Sequence, residues 1–245
     1  MNIIVMDNYQ QMSKRAAGII ADQILFKPDS VLGLPTGSTP EGMYEQLIAL
    51  YKKKQISFSE VTTFNLDEYV GIEKKQPQSY SSYMYRHLFT HIDICEDNIN
   101  IPVSATGEGF NNLEAVCIDY DRKISQAGGI DFQVLGLGEN GHIGFNEPAS
   151  GLTARTHIAD LSKETIESNS RFFSSKEAVP RQAISMGMAD IINANRIMVL
   201  ACDEKKASAV KKMVAGKITT EVPASFLQLH REVILLLDRG AASLL

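Results

Sequence analysis

The chain has no tryptophan, only three cysteines and only five histidines among its 245 residues. Cys95, Cys117 and Cys202 are odd in number, lie far apart and form no C-x-x-C pair. This argues against a disulfide framework and a thiolate zinc site, and for a reducing compartment. Positive charge is scarce as well: 24 Lys and Arg against 29 Asp and Glu leave a net charge of −5. Beyond short runs such as Lys52-Lys53-Lys54 no basic stripe is present, so nucleic-acid binding is not expected. No apolar run approaches the ~18 residues of a membrane span. The N-terminus, MNIIVMDN, lacks a basic region and meets Asp7 after a short apolar run, so no signal peptide is expected. These absences predict a cytoplasmic protein without membrane contact.

Several reaction signatures are absent too. There is no G-x-S-x-G elbow, no G-x-x-x-x-G-K-[ST] loop and no H-E-x-x-H helix, and no lysine stands out as a Schiff-base nucleophile. No internal repeat or low-complexity segment is present. What is there is ordinary for a globular protein, with 44% hydrophobic and 22% charged residues.

Apolar, β-branched runs alternate with helical patterns. Strands are predicted at 2–6, 30–35, 61–66, 131–138, 196–202 and 232–238. Helices are predicted at 8–27, from Thr39-Pro40 to about 54, at 79–92, at 111–127 and at 203–215. Thr39 is the expected cap of the second helix and Asp203 of the last. The strands are nearly continuous apolar runs, the pattern of a parallel sheet covered by helices on both faces. The fold class expected is therefore α/β: one doubly wound, Rossmann-like, mostly parallel sheet, with residues 1–245 as a single domain.

Ligands in such folds bind beyond the C-terminal ends of the strands. Four polar stretches lie there: PTGSTP after 30–35, DEY after 61–66, GENGH after 131–138 and DEKK after 196–202. They should converge on one edge of the sheet. In LPTGSTP, the amides of Gly37, Ser38 and Thr39 at a helix start can face an anion, although an ordinary capped turn uses the same residues. In FNLDEY, adjacent Asp67 and Glu68 on extended backbone point to opposite faces, so only one can serve a given pocket.

GLGENGHIGFNEP admits several readings. Gly136, Gly138 and Gly141 satisfy G-x-G-x-x-G, and Asp160 is a tempting ribose acid. Yet Gly141, Gly144, Pro148 and Gly151 make the required helix improbable. His142 and Glu147 have no recognised metal-ligand spacing. A carboxylate that orients an acid–base imidazole is the functional option left, against a structural loop with an incidental histidine. Arg171 in NSRFF and a lysine in DEKKA supply cations of the kind that grip phosphate. Without a nucleophile or metal motif, this inventory suggests proton transfer on a small phosphorylated molecule.

LGLPTGSTP, FNLDEYVG, GLGENGHIGFNEPASG, NSRFF and LQLH occur in this order along the whole chain. Together they resemble the glucosamine-6-phosphate deaminase (isomerase) family. The resemblance implies conversion of α-D-glucosamine 6-phosphate and water to fructose 6-phosphate and ammonia, with no cofactor or metal. It implies that Asp67 moves the proton from C2 to C1 and that His142 opens the ring, supported by Asn140 and Glu147. Gly37, Ser38, Thr39, Arg171 and Lys206 would hold the phosphate. Many relatives carry Asp where this chain has Asn140, which leaves Glu147 as the main carboxylate partner of His142. Hexameric relatives activated by N-acetylglucosamine 6-phosphate have basic residues after NEPAS, where this chain has His157 and Ala159, and a serine where it has Gly151; they also have a longer C-terminal tail. An absent activator site and a monomer are therefore expected, with 150–175 as an active-site lid. A 6-phosphogluconolactonase and a non-enzymatic sugar-phosphate sensor are the alternatives.

Overall fold

Alternation along each central strand sends side chains into two separate apolar layers. In the computed structural model, which describes residues 1–102, 112–170, 173 and 175–245, Met198 and Leu200 face one layer while Ile197, Val199 and Ala201 face the other. The strands are β1 (Asn2–Met6), β2 (Val31–Leu34), β3 (Thr62–Asn65), β4 (Asp67–Tyr69), β5 (Ile99–Asn100), β6 (Phe132–Gly136), β7 (His157–Asp160), β8 (Gln182–Ser185), β9 (Arg196–Ala201) and β10 (Val233–Asp238). The helices are α1 (Tyr9–Phe26), α2 (Glu41–Lys52), α3 (Tyr80–His87), α4 (Leu113–Gln126), α5 (Lys163–Asn169), α6 (Met188–Ile192) and α7 (Ala207–Val214).

The large sheet is parallel throughout, in the order β1-β10-β9-β6-β2-β3-β5. Met12, Ile20 and Ile24 of α1 and Met43 and Leu47 of α2 cover one face, over Leu32, Phe132 and Leu236. Tyr120 and Ile124 of α4 and Val210 and Met213 of α7 cover the other, over Leu135 and Leu235. Burial on both faces is why these strands read as unbroken apolar runs, and the doubly wound α/β expectation holds. Beyond β2 the chain moves toward β3 and β5; beyond β6 it moves toward β9 and β10. The loops after β2 and β6 thus leave in opposite directions and open a crevice at a topological switch point.

A second sheet, β4-β8-β7, is antiparallel and was not anticipated. DEY is not merely a polar stretch trailing β3 but a strand in its own right. Leu66 is the pivot: its amide donates to Leu34 of the large sheet at 3.4 Å, and its carbonyl accepts from Met186, just past β8, at 2.7 Å. Tyr69, Phe145, Leu161 and Ala183 form the small core above this sheet.

Three local expectations need correction. Pro40, not Thr39, occupies the cap position of α2, and no side chain caps that end. The predicted helix at 79–92 ends at His87 and continues only as a short 3₁₀ turn. Asp203 caps a 3₁₀ turn over Glu204–Lys206, by accepting from the Lys205 amide, and α7 proper starts at Ala207. Among the described residues, no helix is long and apolar enough to cross a membrane.

Candidate active site

The PTGSTP loop is held from behind by three tyrosines. Tyr44 donates to the Pro35 carbonyl at 2.6 Å, Tyr83 to that of Gly37 at 2.6 Å and Tyr9 to that of Ser38 at 3.1 Å. With its carbonyls engaged, the loop has its amides left over. Gly37 takes a φ of +95°, open to glycine at little cost. Among the described residues, the amides of Gly37, Ser38 and Thr39 donate no hydrogen bond. Gly37 and Ser38 are exposed. Unpaired amides beside the start of α2 make a cradle suited to an anion. Nothing in the local sequence signals the tyrosines, which come from α1, α2 and α3.

Asp67 and Glu68 divide their labour as strand alternation requires. The Glu68 carboxylate accepts the amides of Tyr69 at 3.0 Å, Tyr80 at 2.9 Å and Ser81 at 2.8 Å, and so caps α3 together with Ser79. Burial raises the Glu68 carboxyl, and these three amides work against that rise. Its role is structural. Removing it leaves buried helix-start amides unpaired, so Glu68→Ala should lower the urea-unfolding free energy by about 3 kcal/mol, and Glu68→Gln by less. Equal losses in the two variants would sink the capping account.

Asp67 has the opposite environment. It is 8% exposed, and among the described residues no donor bonds its carboxylate. Burial first, and the Glu68 charge second, push its pKa up to about 8. A methyl group added at Gly144 would lie 3.8 Å from Asp67 Oδ2, so this carboxylate adjoins the loop that carries His142. Strand β8 joins the two. Ser185 stands opposite Asp67 in the β4–β8 register, and its hydroxyl accepts the Phe145 amide at 3.0 Å. Asn146 Nδ2 donates to the Met186 and Ile143 carbonyls, both at 2.9 Å.

The loop after β6 is folded tightly on itself. Gly138 donates its amide to the His142 carbonyl at 2.9 Å, and Gly141 to that of Gly138 at 3.0 Å. The imidazole of His142 lies directly against Gly138: a Cβ there would meet ring atoms at 2.4–2.6 Å. Glycine is required at 138 so that this ring can fold over its own loop. His142 Nδ1 sits 3.3 Å from Glu147 Oε2. The ion-pair distance is met, although Nδ1 makes no aligned hydrogen bond among the described residues. Asn140 Nδ2 donates to the same oxygen at 2.8 Å, and Asn140 Oδ1 accepts the His142 amide at 3.1 Å. Thr165, which sequence reasoning passed over, donates its hydroxyl to Glu147 Oε1. Burial raises the Glu147 carboxyl, but the close approach and charge of the His142 imidazole and the bonds from Thr165 and Asn140 outweigh it, holding the pKa at about 2. Glu147 is therefore a fixed anion behind the imidazole.

The end of β9 reaches the same place. Cys202 Sγ lies 3.9 Å from Thr39 Oγ1, which sets the turn carrying Lys206 beside the PTGSTP loop. Asp203 opens that turn at a φ of +79°, rare for a non-glycine residue. Arg171 lies outside the described residues. The other histidines are structural or peripheral: buried His230 is held by the Ala194 carbonyl at 2.7 Å, and His87 stacks on Tyr83. Among the described residues, no group of three or more His, Cys, Asp or Glu side chains is placed to hold a metal ion.

The family described as glucosamine-6-phosphate isomerases/6-phosphogluconolactonase matches residues 7–236. A glucosamine-6-phosphate deaminase of Clostridium botulinum (strain Loch Maree / Type A3) is 55% identical over 243 residues, covering 99% of this chain and 98% of the relative. That of Halothermothrix orenii is 53% identical over 245 residues, the whole of both chains. A solved structure of a monomeric glucosamine-6-phosphate deaminase superposes with a TM-score of 0.96 at 44% identity, covering 100% of each. The 6-phosphogluconolactonase of Trypanosoma brucei, at 20% identity and a TM-score of 0.74 over 99% of this chain and 97% of that one, shares the fold alone.

Proposed function

This chain belongs to the family of glucosamine-6-phosphate isomerases and 6-phosphogluconolactonases, and we propose that it converts α-D-glucosamine 6-phosphate and water to fructose 6-phosphate and ammonia. The observation that carries this reading is the placement of Asp67, a buried carboxylate with no donor among the described residues, beside the loop of the His142–Glu147 pair. A lactonase needs no base at a sugar carbon; an aldose–ketose isomerisation does.

In the proposed course, the open amides of Gly37, Ser38 and Thr39, with Lys206 and Arg171, hold the phosphate. His142 moves a proton between the C1 hydroxyl and the ring oxygen, and the ring opens to the aldehyde. Asp67 takes the proton from C2 while a proton of the substrate ammonium passes to the C1 oxygen, giving an enolamine, and Asp67 then returns its proton to C1. The C2 imine that results adds water and releases ammonia, leaving the ketose. Glu147 and Asn140 keep the imidazole in place. The scheme uses water as its only co-reactant. Segment 150–175, which includes β7 and α5, serves as the lid over a single-domain site, and three free cysteines support a cytoplasmic setting.

Incubation of the purified chain with glucosamine 6-phosphate and a chelator should release ammonia and fructose 6-phosphate in equal amounts. Tight binding without turnover would favour a sensor, and hydrolysis of 6-phosphogluconolactone alone a lactonase. We also read the chain as a monomer without the activator site, a reading supported by His157 and Ala159 on β7 and by the monomeric solved relative. The rate should change less than about twofold with N-acetylglucosamine 6-phosphate; a severalfold rise would contradict this.

A further inference from the structure

We infer that Thr165 is a positioning residue for the acid–base histidine, acting through the carboxylate of Glu147. This rests on the deaminase reading above and extends it to α5. Glu147 uses its two oxygens differently. Oε2 faces His142 Nδ1 and accepts from Asn140. Oε1 accepts from Thr165 alone among the described residues. Without that bond, the carboxylate is held among the described residues through Oε2 alone, and its other oxygen can swing about the last torsion, a soft one.

Thr165 is itself well fixed. It is 6% exposed. Its amide donates to Ser162 Oγ at 3.1 Å, and the Ser162 hydroxyl donates back to Thr165 Oγ1 at 3.0 Å. The Thr165 hydroxyl proton is thereby committed to Glu147. At the far end of the same helix, Asn169 Nδ2 donates to the Tyr69 hydroxyl at 2.9 Å, on the strand that carries Asp67. One short helix therefore ties the histidine's carboxylate to the strand of the second carboxylate. Among the described groups acting on Glu147, His142 is the titratable one; Asn140 and Thr165 are neutral.

Thr165→Val keeps the shape and removes the donor, whereas Thr165→Ser keeps the donor and removes a methyl group. With glucosamine 6-phosphate, Thr165→Val should lower kcat about tenfold with KM within about twofold, because the loss falls on the transition state rather than on binding. Thr165→Ser should restore kcat. A crystal structure of Thr165→Val should show the Glu147 carboxylate turned and its contact with His142 lengthened. Valine and serine variants equally impaired, with lowered Tm, would mean a packing role and overturn the inference. So would a Thr165→Val structure with Glu147 unmoved. If the unaltered chain released no ammonia, the functional reading would fail, while the crystal structure would still decide the role of Thr165.

Discussion

Replacing Asp67 by asparagine should cut turnover by about 10³-fold or more and at the same time make the folded protein harder to unfold. The loss follows from the proposed role: the amide cannot accept the C2 proton, and a positioned base supplies roughly 10²–10⁴-fold. The gain follows from burial. The Asp67 pKa stands at about 8 when folded against an ordinary 3.8. Below pH 4 both folded and unfolded chains hold the proton, and Asp67 has no effect on the balance. Between pH 4 and 8 the unfolded chain releases it and the folded chain retains it, so stability falls as pH rises. Above pH 8 the full penalty is present, at about 1.4 kcal/mol per pKa unit and so several kcal/mol at most. Asparagine removes that penalty. Urea titrations of both proteins should coincide near pH 4 and diverge steadily to pH 8–9; parallel curves would refute a raised Asp67. The kinetics carry the same signature. In the free enzyme the base is mostly protonated at neutral pH, so kcat/KM should climb toward pH 8. The amine of bound substrate, as a cation, favours the ionised carboxylate. The corresponding limb of kcat should then lie at lower pH.

The large sheet was legible because its physics is local. Runs such as RIMVLAC and EVILLLD are buried on both faces, and burial on both faces writes itself into sequence as continuous apolarity. The loops at the strand ends followed from that, since a parallel sheet places all its C-terminal ends on one edge. The small sheet is different. β4 is three residues long, and its partner β8 lies over a hundred residues away; neither has a period long enough to stand out. The tyrosines behind PTGSTP were invisible for a related reason: a hydroxyl that reaches a distant carbonyl leaves no spacing signal. Asp67 against Glu68 was half legible. Alternation dictated that they face apart, but which one caps a helix depends on where Tyr80 and Ser81 arrive. Gly138 was read as part of a G-x-G-x-x-G pattern and not as room left for another side chain. At Gly138 the room is taken by the ring of His142.

That last point gives the second large effect. Gly138→Ala should lower kcat by about 10²–10³-fold while changing stability by no more than about 1 kcal/mol. The backbone at 138 does not take a positive φ, so alanine is conformationally acceptable there. The obstacle is His142, whose ring atoms would lie 2.4–2.6 Å from the new methyl group. The backbone of His142 cannot retreat, since its carbonyl is held by the Gly138 amide and its amide by Asn140. The ring must therefore rotate about its own χ1, an inexpensive move for a half-buried side chain but one that takes Nδ1 away from Glu147. Folding loses little and acid–base chemistry loses its group. Because the methyl acts through the same ring, its effect should vanish when the ring is already gone. His142→Gln and the double variant Gly138→Ala/His142→Gln should have equal kcat, a coupling as large as the whole Gly138→Ala effect. Additive losses would mean that Gly138 serves the substrate directly, as room for the sugar, and not the histidine.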